Sequence, residues 1–186
     1  MNLKKIKLKE ISEIVTRERE AGKTDQEIYN QLSPEYDNKK RLALAITGTV
    51  TTELKEKYKV YNNLLIGLLT VGAITKVLSV LGLVVNAGSP WFLLLLFIAP
   101  LLNLLFAYYV AQYQAHIYRA CGLLMLINSM QILNMKEVTP TGMVIALLFA
   151  GCIAALSFFL DFKMFPAFKP NKLQKDSNGE YILPTS

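Results

Sequence analysis

Charge is what half of this chain lacks. Up to Asn63 charged and apolar residues are mixed. From Leu64 to Leu160, slightly over half of the 186 residues, Asp, Glu, Lys and Arg nearly vanish. A water-soluble domain spreads its charge so that every element keeps a wet face. Loss of charge over so long a stretch, in a chain that is 53% hydrophobic, excludes an ordinary soluble architecture.

Reactive side chains are also scarce. The only two cysteines, Cys121 and Cys152, fall in different apolar segments. Their depths differ by roughly 10 Å at a rise of about 1.5 Å per residue, too far for a disulfide. No zinc or redox spacing is present, so both read as small apolar packing residues. His116, the one histidine, stands near Gln112, Gln114 and Tyr118. It belongs to no Ser-His-Asp set and reads as a surface residue. There is no Gly-rich phosphate loop, no pair of carboxylates facing a cleft and no acidic metal cluster. An enzyme has no residues to stand on here, and neither a cofactor nor a metal is implied.

What is present is a set of long apolar runs. The reading is an all-α integral membrane protein with four transmembrane helices preceded by a small cytoplasmic helical domain. The head covers 1–63, the membrane domain 64–162 and a flexible cytoplasmic tail 163–186. The spans are placed at about 64–85, 91–110, 118–135 and 143–160, each long enough for a hydrocarbon core of about 30 Å. Asn86 to Pro90 form a polar turn, and Trp91 opens the second span at interface level. Tyr108, Tyr109 and Tyr113 make the opposite aromatic belt. Pro100 is expected to break the second span, freeing the carbonyl of Leu96.

Orientation follows from Lys and Arg. The head, the second loop with Arg119, and the tail hold eighteen of the twenty. Both termini are therefore expected on the cytoplasmic side. No apolar core follows the basic N-terminus before Leu64, so the first span is expected to act as its own insertion signal. Compact loops and the lack of targeting signals suggest a bacterial inner membrane.

In the head, Leu3, Ile6, Ile11, Ile14 and Val15 recur at helical spacing up to Gly22, which suits a left-handed cap. Thr24 and Glu27 make a capping box for a second helix carrying Ile28 and Leu32. Ser33–Pro34 reads as the start of a third helix, carrying Leu42, Leu44, Ala45 and Ile46 and stopping near Gly48. A fourth starts about Glu53 and runs into the membrane. Thr24–Leu32 with Pro34–Ile46 has the outline of a DNA-reading helix pair. The connection is too short, however, and Glu35 and Asp37 stand where phosphates need positive charge, which argues against nucleic acid. Lys4, Lys5, Lys7 and Lys9 read either as lipid-headgroup contacts, at about 1 kcal/mol each near an anionic leaflet, or as a frayed, solvated terminus.

Within the membrane half, Lys76 lies near the middle of the first span with no acid at matching depth. A charge there costs at least about 2.5 kcal/mol. It either lines a path or reaches a polar group on a neighbouring helix. Asn103, Asn128, Ser129, Gln131 and Asn134 read as interhelical glue at about 0.6 kcal/mol each, or as path-lining amides. Ala146, Ala150 and Ala154, with Gly151 and Ala155, form two small-residue rows that let another helix approach. Four short spans enclose little volume, which favours a homo-oligomer. The tail, with Pro166, Pro170 and Pro184, reads as extended and loose.

The function expected is that of a non-enzymatic, oligomeric multi-pass scaffold that recruits or senses a cytoplasmic protein partner through its head. The alternative is a small channel or transporter subunit, with Lys76 and the amides along its path.

Overall fold

The computed structural model describes residues 8–87, 92–133, 139–168, 173–177 and 179–183. Among them the fold is all-α. Seven α-helices are α1 (Leu8–Glu20), α2 (Asp25–Leu32), α3 (Lys39–Thr47), α4 (Thr52–Ala87), α5 (Phe92–Ala111), α6 (Ala115–Leu133) and α7 (Pro140–Met164). Two short strands, β1 (Gln174–Lys175) and β2 (Tyr181–Ile182), complete it. The chain divides into two compact units, one of residues 1–57 with 162–186 and one of residues 58–161.

The first unit is built from short, explicitly capped helices. α1 ends where Gly22 takes φ +86°, its N–H donating to the Arg19 carbonyl at 2.9 Å. A residue with a side chain resists that conformation. Thr24 and Glu27 then cap α2 reciprocally. The Glu27 N–H donates to Thr24 Oγ1 at 3.3 Å, and the Thr24 N–H donates to Glu27 Oε2 at 2.8 Å.

The third helix begins later than its sequence signal suggests. Ser33–Glu35 make only a 3-10 turn, and Tyr36 is extended. Asn38 is the real cap of α3, its Oδ1 accepting from the Arg41 N–H at 2.9 Å. Pro34 fits the first position of a 3-10 turn as well as that of an α-helix, so the Ser-Pro pair starts a turn that the extended Tyr36 ends.

Ile11 and Val15 from α1, Ile28 and Tyr29 from α2, and Leu42, Ala43 and Ile46 from α3 form one buried cluster. Leu183 joins them at 4% exposure. Within the tail expected to be loose, the described residues 173–177 and 179–183 thus form a hairpin packed on the helices. β1 and β2 pair antiparallel, Gln174 opposite Ile182 and Lys175 opposite Tyr181. Gly179, at φ +81°, closes the turn, and the Glu180 N–H donates to Asp176 Oδ1 at 2.8 Å. A three-helix core this small gains little apolar burial of its own. An added leucine and a clamped strand supply what it lacks.

The Glu180 carboxylate joins this hairpin to the helices, accepting from Lys39 Nζ and, at 2.9 Å, from the Tyr29 hydroxyl. The Lys39 bond, and after it the Tyr29 bond, hold the Glu180 carboxyl below its ordinary value of 4.5. A depressed carboxylate contributes stability that is complete above the ordinary value and is lost as pH falls through the lower, folded one. Protection of the amides of residues 179–183, taken relative to the intrinsic exchange rate at each pH, should therefore be constant from pH 7 down to the ordinary carboxylate range and fall below it. In Glu180→Gln the acid-dependent step should disappear. Tyr29 is pushed up to about 12, first by burial, so its hydroxyl stays a donor throughout that range.

The second unit contains the apolar helices. Where the sequence places four apolar helices, the structure has α4 to α7. Two described segments, Thr52–Ser79 of 28 residues and Pro140–Met164 of 25, are long and apolar enough to cross a membrane. α5 runs unbroken from Phe92 to Ala111 through Pro100. The proline removes one backbone bond, and the surrounding turns hold without it.

Candidate functional site

Polar side chains inside the apolar unit are the places where chemistry is concentrated, because each must find a partner away from water. They fall into two groups. The first joins α4 to α5. Lys76, half-buried on α4, donates from Nζ to Oδ1 of Asn103 at 3.0 Å. Asn103 on α5 is 2% exposed. Gly72, one turn before Lys76, makes room for this pair. A Cβ there would lie 2.8 Å from Asn103 Nδ2 and 3.3 Å from the Phe149 ring of α7. A larger residue there would press on the Asn103 amide and the Phe149 ring.

The second group gathers at the α5–α6 turn. Tyr118, fully buried on α6, places its hydroxyl 2.6 Å from Asn62 Oδ1 and 3.2 Å from the Val110 carbonyl oxygen. Asn62 of α4, 1% exposed, donates its own amide to the same carbonyl at 3.4 Å. The Tyr113 N–H also donates to it, at 3.0 Å, with Tyr113 held at φ +55°. A non-glycine residue in that conformation is uncommon. Here the converging donors on the last carbonyls of α5 over-determine the turn. Close by in sequence, Arg119 Nη2 and Nε reach Asp161 Oδ2 of α7 at 2.8 and 3.1 Å. Gly122 lies under the Phe158 ring, 2.8 Å from where a Cβ would be.

Tyr118→Phe should cost about 1–3 kcal/mol, because it leaves Asn62 Oδ1 buried without its donor. Thermal unfolding in detergent checks this, and Asn62→Leu combined with Tyr118→Phe should cost less than the two single changes added together.

No family model, curated protein or solved structure matches this chain. The side chains alone therefore carry the functional reading.

The residues singled out by sequence do not converge on one point. Lys76 and Asn103 meet. Asn128 is half-buried and Gln131 exposed on α6, and neither is joined to that pair. Asn134 lies outside the described residues. Of the small residues on α7, Ala150 and Ala154 are buried, Ala146 is half-buried, and Gly151 and Ala155 are exposed. The two rows thus face different surroundings, one packed inside the unit and one on its surface. Both cysteines are free, Cys121 buried and Cys152 exposed. Lys4, Lys5 and Lys7 lie outside the described residues. Lys9 lies within α1, but its side chain is not among those described.

Several residues that matter were not singled out. Asn62 lies at the edge of the first apolar run, where an amide looks like ordinary interface polarity. Ser157 and Asp161, one turn apart on α7, are buried. Ser157 Oγ and Asp161 Oδ1 are without a hydrogen-bond partner among the described residues. Among those residues no group of three or more His, Cys, Asp or Glu could hold a metal. In the first unit an open cleft of about 190 Å³ is lined by Thr16, Arg19, Glu20, Val50, Thr51 and Thr52. Its one cation, Arg19, is already engaged by Asp25 and by the carbonyls of Thr49 and Ile46. The cleft therefore presents little free binding capacity.

Proposed function

We propose that this chain is a non-enzymatic multi-pass membrane protein. Its helices α4 to α7 cross the bilayer as four spans, both termini are cytoplasmic, and copies associate into an oligomer whose heads recruit or sense a cytoplasmic protein. A bacterial inner membrane is the setting that compact loops and the basic distribution favour.

One observation carries the reading. Every one of the four helices exposes large apolar side chains. Leu78 on α4 is 63% exposed, Ile98 on α5 64%, Met130 on α6 68% and Leu148 on α7 65%. In water so much exposed apolar surface would drive aggregation, whereas hydrocarbon is the solvent that suits it. α5, with 20 residues, and α6, with 19, fall within the range a spanning helix needs. The exposed Gly151 and Ala155 give α7 a flat strip where a second helix can approach closely.

The channel reading is the weaker one. Lys76 donates to Asn103, which is what a lysine does when it is satisfied within the packing rather than left to attract an ion. The experiment is to wash membranes with alkaline carbonate, extract with detergent and measure particle mass. Retention in the carbonate pellet and a mass of several copies are expected. Release by carbonate would refute the membrane reading, and a monomeric particle would refute the oligomer.

A further inference from the structure

In the first unit, residues 179–183 lie over α2 and α3 as a bound peptide lies on a receptor. Gln26 reads the backbone on both sides of Ile182. Its Oε1 accepts from the Leu183 N–H at 2.7 Å, and its Nε2 donates to the Tyr181 carbonyl at 3.3 Å. The Tyr181 N–H donates to the Tyr29 hydroxyl at 3.4 Å, and the two tyrosine rings meet edge-on with centroids 6.4 Å apart. The Glu180 carboxylate is gripped by Lys39 and Tyr29. Leu183 fills the apolar pocket at 4% exposure. Backbone, charge and one aliphatic anchor are thus recognised by separate groups, as in recognition of extended peptides.

Two features make this segment exchangeable. First, β1 and β2 pair with each other, so the hairpin can leave α2 and α3 without breaking its own strand pairing. Second, the charge clamp is at the surface. The Lys39 side chain is 43% exposed and that of Glu180 34%, so water and a competing segment can reach it. The segment whose fit is demonstrated is this chain's own. Supplied by a neighbour it would make the same contacts, which is why exchange of an identical element costs little.

We infer that the α2–α3 groove accepts residues 179–183 of a second copy, so that neighbouring chains exchange their C-terminal hairpins and link their heads. This rests on the oligomeric reading above, under which copies side by side offer the hairpin at high effective concentration.

A charge-reversal pair tests it in the full-length protein. Lys39→Glu reverses the groove and Glu180→Lys reverses the hairpin, so neither variant alone has a matched clamp. Mixed, the two offer matched clamps only between different chains. Particle mass and amide exchange of residues 179–183 are read on the wild type, each variant and the mixture. In each variant alone, exchange should be roughly two- to fivefold faster than in the wild type, the range that an exposed ion pair supports. In the mixture, after co-reconstitution, about half of that loss should be recovered or more.

Recovery supports exchange between copies. An oligomeric wild type whose mixture recovers nothing overturns the inference and leaves the oligomer standing. A monomeric wild type overturns the oligomeric reading and the inference together, since chains that exchange hairpins are joined. Both substitutions lie at partly exposed positions, and unchanged helical circular dichroism would show that the fold persists. If protection is unchanged in the single variants, the clamp is not what holds the segment and the inference fails.

Discussion

Asp25→Ala is expected to destabilise the first unit by about 3–5 kcal/mol, and Arg19→Met by a similar amount. Arg19 Nε and Nη2 grip the two carboxylate oxygens of Asp25 at 2.7 and 2.9 Å, with side-chain exposures of 13% and 1%. The same guanidinium donates to the Thr49 carbonyl at 2.6 Å and to the Ile46 carbonyl at 3.1 Å. One side chain on α1 thus fixes the first turn of α2 and the end of α3. Removing Asp25 leaves a buried cation without its counter-charge. Removing Arg19 leaves a buried anion and takes a donor from the Thr49 carbonyl, while the Ile46 carbonyl keeps the Thr49 N–H at 3.1 Å. Replacing both by apolar residues of similar volume, Arg19→Met with Asp25→Leu, should cost less than either single change, because no buried charge is then left unpaired. Urea titration followed by amide exchange in residues 8–47 measures this. Additive losses would mean that the pair is not coupled.

The second large effect is an asymmetry inside the apolar unit. Asn103→Leu should destabilise the protein by about 2–3 kcal/mol, since it strands the Lys76 charge among apolar side chains. Lys76→Leu removes the charge itself but leaves Asn103 Oδ1 buried without its donor, so it should cost less than Asn103→Leu, and Lys76→Leu combined with Asn103→Leu should cost least. Detergent melting curves of the single and double variants separate them. If Lys76→Leu is the more harmful, the lysine does more for the structure than satisfy Asn103. If it is the milder change yet abolishes ion flux in vesicles, the channel reading replaces the scaffold.

The contrast between Asn38 and the threonine cap shows what could be read in advance. Gly22, Thr24 with Glu27, and the stop near Gly48 are local devices. Their physics involves residues within a few positions of one another, and the structure has them where the sequence signals them. Ser33–Pro34 gave an equally local signal, but 3-10 and α starts share it, and Asn38 five residues on had the stronger cap. The hairpin had a signal too. The Asn178–Gly179 dipeptide between Gln174–Lys175 and Tyr181–Ile182 is a turn pattern, in a segment whose prolines give it an extended composition. The docking of Leu183 against Ile28 and Leu42 was not legible, because it joins positions about 140–155 apart, and one sequence carries no trace of such pairing. The same holds for Asn62 with Tyr118 and Arg119 with Asp161. For Lys76, composition showed that a charge lay deep in an apolar helix. Only the packing of α4 on α5 shows that Asn103 receives it.

Threading of α4 to α7 through lipid, with head and tail on the same side, is most directly tested by which residues a membrane-impermeant maleimide reaches in intact cells. In a Cys121→Ser, Cys152→Ser background, single cysteines at Ser89 and Lys136 should be labelled from outside. Those at Gln112 and Ser177 should be labelled only after the membrane is opened. Outside labelling of Ser177→Cys, or protection of Ser89→Cys until lysis, would contradict this topology.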